Sequence, residues 1–118
     1  MSTPRFIPRR APRPVTLAAA LVAACCGATA VLAVGPVAVV QKGRAFAARS
    51  LTLQAGEMLR FLNEDQFIHQ IYVQSDRFTF DSDEQEPGRE VDVRFPVRGS
   101  FEVRCHIHPK MLLQVDVR

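Results

Sequence analysis

The sequence predicts an all-β fold, an antiparallel sandwich or small barrel, over residues 34–118, preceded by a separate N-terminal segment, residues 1–33. From Val37 onward, short segments that alternate apolar and polar residues are separated by turn residues, which is typical of all-β domains. The same stretch has no helical periodicity. A chain of 118 residues also has room for one such domain and little more.

The first half of the predicted domain contains five strand regions. In order, these are residues 37–41 together with 44–46, then 50–54, 58–62, 68–73 and 77–80. Gly43 interrupts the first region, and Ala55-Gly56 supplies a turn between the second and the third. His69 falls within the fourth region and is flanked by apolar residues, so we expect it on a strand.

The second half begins with an acidic segment, residues 81–89, which we predict to be a solvated loop with a turn at Pro87-Gly88. A docking patch for a basic partner is the alternative interpretation of this segment. Three further strands follow, at residues 90–95, 101–105 and 112–117. Because side chains alternate along a strand, Phe101, Val103 and Cys105 are expected to share the inward face.

Residues 1–33 have the features of an export signal. Residues 1–14 are rich in Pro and Arg, and the uncharged stretch 15–40 is dominated by Ala, Val and Leu. Small residues at 28–30 or 31–33 would suit signal-peptide cleavage. An uncleaved membrane anchor and lipidation at Cys25 are the alternatives. We therefore expect a protein in the bacterial periplasm or on the outer face of the cytoplasmic membrane.

The charge of the chain argues against nucleic-acid binding. The whole chain has 15 Lys and Arg against 12 Asp and Glu, a formal net charge of +3. Four of the arginines lie in residues 1–33, so the remainder carries 11 against 12, a net charge of −1. The positive charge therefore belongs to the N-terminal segment, and the domain lacks the basic footprint of a nucleic-acid-binding protein.

The residues that point to chemistry are Cys105, His108, Met111 and the distant His69. Taken singly, the cysteine, the methionine and His69 could each be an ordinary core residue. Together, a thiol, two imidazoles and a thioether form a donor set suited to copper, because soft sulfur ligands favour Cu(I) and imidazole suits both oxidation states. His106 is adjacent to Cys105 on an extended chain, so it must face the other way and is predicted to be a surface residue.

These residues carry a resemblance to the small cupredoxins, especially the plastocyanin and amicyanin-like group, over residues 37–118. The matching motifs are Asn63-x-Asp65 before His69, Pro87-Gly88 ahead of a strand, Gly99-Ser100-Phe101, and Cys105-x-x-His108-x-x-Met111. The resemblance implies a Greek-key β-sandwich and one type 1 copper ion, with His69, Cys105, His108 and Met111 as its ligands. It also implies a monomeric one-electron carrier that exchanges electrons with redox partner proteins and is not an enzyme.

One residue departs from the family pattern, and two other functions compete with electron transfer. The family commonly has Asn after the upstream histidine, where it braces the ligand loop; here the residue is Gln70. The change puts the hydrogen bonds around the site in doubt rather than the ligands. The competing functions are a copper-binding or copper-delivery module, and a Cys–His nucleophilic enzyme built on Cys105. The enzyme is the weakest of the three, because no oxyanion-hole element can be named.

Overall fold

The computed structural model describes residues 35–118. The predictions for the N-terminal segment, for Cys25 and for the boundary at residues 33–34 lie outside the described residues. Within them there are eight strands: β1 (Val37–Gln41), β2 (Ser50–Leu53), β3 (Met58–Asn63), β4 (Ile71–Gln74), β5 (Thr79–Asp81), β6 (Glu90–Arg94), β7 (Gly99–Cys105) and β8 (Leu112–Val117). No helix in this part of the chain is long and apolar enough to span a membrane.

The strands form two sheets, of order β1-β3-β6 and β2-β8-β7-β4-β5. This confirms the predicted all-β sandwich. The pairing is not wholly antiparallel, however, since β1 runs parallel to β3 and β2 runs parallel to β8. The chain leaves the first sheet after β1 and returns to it only after β2 has joined the second. A strand that returns in this way can lie parallel to its neighbour, which a hairpin cannot do.

The core lies on the inward faces of the strands, where alternation places the apolar side chains. On β7, Phe101, Val103 and Cys105 are buried while the residues between them are not. β8 follows the same rule with Leu113, Val115 and Val117. The predicted face of β7 is therefore confirmed, and it points the sulfur of Cys105 inward at the end of its strand.

Residues 44–46 do not form the strand that we predicted. The chain turns instead, with a hydrogen bond from the N–H of Lys42 to the C=O of Ala45, and only an isolated bridge joins Gln41 to Phe46. Gly43 and Arg44 both have positive φ angles, of 63° and 58°. A pair of left-handed residues ends a strand, and such a conformation is unusual for Arg.

The region around His69 differs from the prediction as well. β4 begins at Ile71, so His69 lies just before the strand and is joined only by an isolated bridge to Gln85. The prediction that residues 81–89 form a solvated loop is also wrong in part, because two of these residues are buried: Gln85 is 1% exposed and Ser82 is 8% exposed. The side chain of Gln85 makes hydrogen bonds inside the sandwich, which is why this segment folds inward between its charged neighbours.

Candidate metal centre

Cys105 supplies the sulfur of the candidate site. It is the last residue of β7, it is 2% exposed, and it is the free cysteine of the described residues. The backbone N–H of Gln70 donates to its Sγ at 3.4 Å. A hydrogen bond to sulfur lowers the electron density on a thiolate and so tunes a metal bound to it.

His69 lies beside Cys105, immediately before the neighbouring strand. Its side chain is completely buried, and its Nε2 lies 3.2 Å from Oδ2 of Asp65. A carboxylate only accepts hydrogen bonds, so Nε2 carries the proton of the neutral ring and Nδ1 keeps a free lone pair. That lone pair is on the nitrogen nearer Cys105.

His108 reaches the site from the loop between β7 and β8. The backbone N–H of Met111 donates to the C=O of His108 at 3.0 Å, so the loop turns back over the end of β7. The ring of His108 lies edge-on to the ring of His69, with 4.9 Å between the centroids. His108 is half-buried, whereas Cys105 and His69 are fully enclosed.

The three donor atoms form a compact triangle. Sγ of Cys105 lies 3.8 Å from Nδ1 of His69 and 3.8 Å from Nδ1 of His108, and the two nitrogens are 3.1 Å apart. In zinc sites of proteins, the metal lies about 2.0 Å from an imidazole nitrogen and about 2.3 Å from a thiolate sulfur. Two bonds of these lengths are long enough to span each edge, so this group can bind one ion. Two imidazoles and a thiolate are the equatorial donor set of blue-copper sites.

Met111 follows His108 by three residues in the sequence. Its side chain is buried in the core, with 1% exposure. Its backbone closes the turn with His108. The structure therefore encloses the residue that was predicted as the thioether ligand, and its role as the fourth ligand stays a prediction.

His106 points away from the site, as strand alternation predicts. Its ring stacks on Tyr72 with 3.9 Å between centroids, and its Nε2 lies 3.1 Å from Oδ2 of Asp81. Its side chain is 43% exposed. It is therefore a surface residue on the outer side of the five-stranded sheet.

Gln70 resolves the question raised by its departure from the family pattern. Its side-chain Nε2 donates to the C=O of Ser82 at 2.9 Å and to Oδ1 of Asp81 at 3.2 Å. Its backbone C=O accepts from the N–H of His106 at 2.9 Å. The longer side chain thus braces residues 81–82 rather than the ligand loop, while the backbone of Gln70 remains in contact with the strand end that carries Cys105.

Asp65 is a functional residue whose role the sequence did not reveal, although the Asn63-x-Asp65 motif drew attention to it. Burial raises the pKa of its carboxyl, but hydrogen bonds from the N–H groups of Arg44 and Gln66 and from the ring of His69 outweigh this and lower the pKa below its ordinary value. Asp65 is therefore a carboxylate at neutral pH. The one feature of the sequence that could have indicated this contact is that Asp65 precedes His69 by four residues.

The surroundings of His69 keep its imidazole neutral. Burial lowers its pKa below the ordinary value and the neighbouring His108 lowers it further, while the hydrogen bond that the ring donates to Asp65 opposes both without overcoming them. A neutral imidazole is the form that binds a metal. The site is therefore prepared for an ion before one binds.

No protein-family model and no curated protein sequence matches the chain. Among solved structures, a Cu-containing nitrite reductase from Thermus scotoductus SA-01 is 26% identical with a TM-score of 0.64; the match covers 70% of this chain and 22% of the reductase. This chain thus spans about a fifth of that enzyme.

Two smaller proteins match over most of their length. A Cu(I) form of an amicyanin variant is 17% identical with a TM-score of 0.66, covering 75% of this chain and 88% of the amicyanin. A purple cupredoxin from Nitrosopumilus maritimus is 17% identical with a TM-score of 0.62, covering 70% and 99%. Residues 35–118 therefore have the cupredoxin fold, and their His-Cys-His cluster fits a type 1 copper site.

Proposed function

We propose that this chain is an exported mononuclear type 1 copper protein that carries one electron at a time between redox partner proteins. The observation that carries the proposal is the triangle of Cys105, His69 and His108, whose donor atoms converge at distances that one ion can span. When bound, copper supplies the one-electron change between Cu(I) and Cu(II).

The proposed ligands are His69, Cys105, His108 and Met111. The first three form the plane, and the thioether of Met111 is the weak axial ligand of such sites. The burial of Met111 and its place at the end of the ligand turn support this assignment. A thioether that binds only weakly along the axis stabilises Cu(II) less than a stronger axial ligand would, so Met111 would help to set the reduction potential.

The protein's own part is to hold the donors still. Cys105 is held by β7, and His69 is held through its ring by Asp65 and through its backbone by Gln85. Because the sandwich fixes these positions, the ligands need to move little when the oxidation state changes. Small movement is what a fast electron carrier requires.

His108 gives a partner its access to the centre. It lines a shallow groove of about 400 Å³ together with Ile107, Pro109, Arg44 and Lys110. Ile107 is 43% exposed, and the two cations favour a partner with an acidic rim. We propose this end of the domain as the place where redox partners approach.

A carrier fits these residues better than an enzyme does. In the competing Cys–His enzyme, the sulfur of Cys105 would attack a substrate, but it is 2% exposed and faces two imidazole rings. We therefore propose no catalytic activity, and we propose that the protein acts as a monomer.

Export is proposed from the N-terminal pattern alone. The division proposed is residues 1–33 as a signal peptide or membrane anchor and residues 34–118 as the copper domain. This places the protein in the bacterial periplasm or on the outer face of the cytoplasmic membrane. The mass of the protein recovered from cells distinguishes cleavage, retention and acylation at Cys25.

The experiment that tests a carrier against a delivery module is repeated redox cycling in the presence of a Cu(I) chelator. The copper-loaded protein is oxidised and reduced several times, and the copper it retains is measured. A carrier keeps its copper and returns to the same spectrum after each cycle. Transfer of the copper to the chelator at the first reduction would instead support delivery.

A further inference from the structure

A cluster of three buried amide side chains lies behind His69. Gln41, Asn63 and Gln85 are 0%, 2% and 1% exposed. Polar groups are costly to bury unless their hydrogen bonds are made, so three amides together in a small β-sandwich call for a specific reason.

The side chain of Gln85 is tied to the three-stranded sheet. Its Oε1 accepts from Nε2 of Gln41, on β1, at 2.6 Å. Its Nε2 donates to the C=O of Phe61, on β3, at 2.9 Å, and to the C=O of Arg89, which precedes β6, at 2.7 Å. The amide is thus fixed by three hydrogen bonds at once.

The backbone of Gln85 is tied to His69. Its N–H donates to the C=O of His69 at 2.6 Å, and its C=O accepts from the N–H of His69 at 3.1 Å. Nδ2 of Asn63 donates to the same C=O at 2.8 Å. Both backbone polar groups of His69 are therefore held by one residue, and that residue is anchored in the three-stranded sheet.

Asn63 extends the same brace to the segment that leads into His69. Its Nδ2 also donates to the C=O of Phe67 at 2.8 Å, and its Oδ1 accepts from the N–H of Asp65 at 2.9 Å. This shapes the turn that brings the carboxylate of Asp65 to the ring of His69. The cluster consequently fixes both the backbone of His69 and the group that orients its ring.

Gln41 shows that the cluster does more than fill space. Its Oε1 has no hydrogen-bond partner among the described residues. An unsatisfied buried acceptor is destabilising, so a core that needed only filling would be served better by an apolar side chain at this position. Within the cluster, the hydrogen bond that the Gln41 side chain makes is the donation to Gln85.

We propose that Gln85 is a positioning residue for the metal centre: through its side chain, the three-stranded sheet sets where Nδ1 of His69 lies relative to Cys105 and His108. Strand pairing fixes the backbone of Cys105, but His69 lies outside any regular strand. Its backbone is fixed instead by the bridge to Gln85. The inference rests on the proposed function in taking His69 to be a metal ligand.

The direct test is amide hydrogen exchange in the metal-free, full-length protein. Gln85→Met keeps the length of the side chain and removes its hydrogen bonds. We expect the His69 N–H to exchange at least about tenfold faster relative to the amides of β7, the effect of losing more than one hydrogen bond to a buried amide. The matched control is Val117→Ala, because Val117 pairs with Gly99, at the end of β7 opposite Cys105. The control should leave that ratio unchanged.

A second variant keeps the test decisive if Gln85→Met does not fold. Gln41→Met removes one hydrogen bond to Gln85 and the unsatisfied oxygen with it. It should raise the relative exchange of His69 about threefold, as for one ordinary hydrogen bond. The proposal would be overturned if every one of these two variants that folds showed the same ratio of His69 exchange to β7 exchange as Val117→Ala.

The copper-loaded protein supplies a readout that simple destabilisation would not move. Gln85→Met should lower Cu(II) affinity about tenfold and change both the reduction potential and the copper hyperfine splitting, whereas Val117→Ala should change none of these. An unchanged potential in Gln85→Met would count against the proposal. Failure of the unmodified protein to form a thiolate–copper centre would contradict the proposed function, while the exchange result in the metal-free protein would still stand or fall independently.

Discussion

The carboxylate of Asp65 lies 3.2 Å from Nε2 of His69, on the side of the ring away from Cys105. This contact fixes the tautomer, because the nitrogen facing the carboxylate must carry the proton. The other nitrogen, Nδ1, is left with its lone pair beside the sulfur. A carboxylate behind a ligating histidine also makes the imidazole a stronger donor.

Replacing the carboxylate should weaken the site. In Asp65→Asn the ring of His69 loses its charged partner, so we expect Cu(II) affinity to fall about 10- to 100-fold, the usual effect of removing such a partner. A poorer donor stabilises Cu(II) less, and the reduction potential should therefore rise. Competitive copper titration and voltammetry measure the two effects. The control is Asp92→Asn, which removes a carboxylate paired with Arg60 on the other sheet; equal losses in the two variants would rule out a specific role for Asp65.

Met111 should tune the centre without being essential to it. In Met111→Leu a buried side chain of similar volume replaces the thioether, so the fold should be retained at a cost below about 1.5 kcal/mol. We expect the blue colour to persist and the potential to rise, because the oxidised ion loses a weak ligand. The optical spectrum and voltammetry test this prediction. Complete loss of copper binding would show that Met111 does more than bind weakly along the axis.

The two histidines of the ligand loop should behave in opposite ways. His108→Ala removes a corner of the triangle and should abolish the colour. His106→Ala removes a ring that stacks on Tyr72 and contacts Asp81. The copper affinity should therefore stay within about twofold of that of the unmodified protein, and the absorption spectrum should not change. The comparison needs only copper titrations of the two variants. A strong loss of affinity in His106→Ala would contradict the structural assignment.

Acidification should destabilise the metal-free protein. The pKa of His69 is lowered in the folded state from an ordinary value of 6.5, so below that pH the unfolded chain binds a proton that the folded chain does not. Stability should therefore fall as the pH drops below about 6.5, by at most about 1.4 kcal/mol per pH unit for this one group. Urea unfolding at several pH values measures the slope.

The matched variant for this measurement is His69→Gln, which removes the titrating ring. Between pH 6.5 and 5, its unfolding free energy should depend less steeply on pH than that of the unmodified protein. The two slopes should differ by at most about 1.4 kcal/mol per pH unit, the effect of one titrating group. An identical slope in the two proteins would mean that His69 does not resist protonation in the folded state.

Much of the fold could be predicted because alternation alone decides which face of a strand is buried. The pattern of Phe101, Val103 and Cys105 specified both a strand and the direction of the sulfur, and the structure confirms both. Alternation likewise placed His106 on the other side. Cys105, His108 and Met111 lie close together in the sequence, and the hydrogen bond from the N–H of Met111 to the C=O of His108 turns this segment back over the end of β7.

The parts that could not be predicted depend on contacts between distant residues. The role of Gln85 arises from hydrogen bonds to Gln41 and Phe61, which come from other strands, so its acidic neighbours made the segment look like a solvated loop. The left-handed conformation of Arg44 depends on its turn, and its N–H is held by Asp65, 21 residues away. The parallel pairs arise because the chain alternates between sheets, and no local pattern encodes that.

The most direct test of the central claim is the visible absorption spectrum of the protein after Cu(II) is added. If Cys105, His69 and His108 bind one ion together, an intense thiolate-to-copper band should appear at one equivalent, and Cys105→Ser should abolish it. A colourless adduct, or a band that survives the loss of the Cys105 sulfur, would contradict the proposed centre.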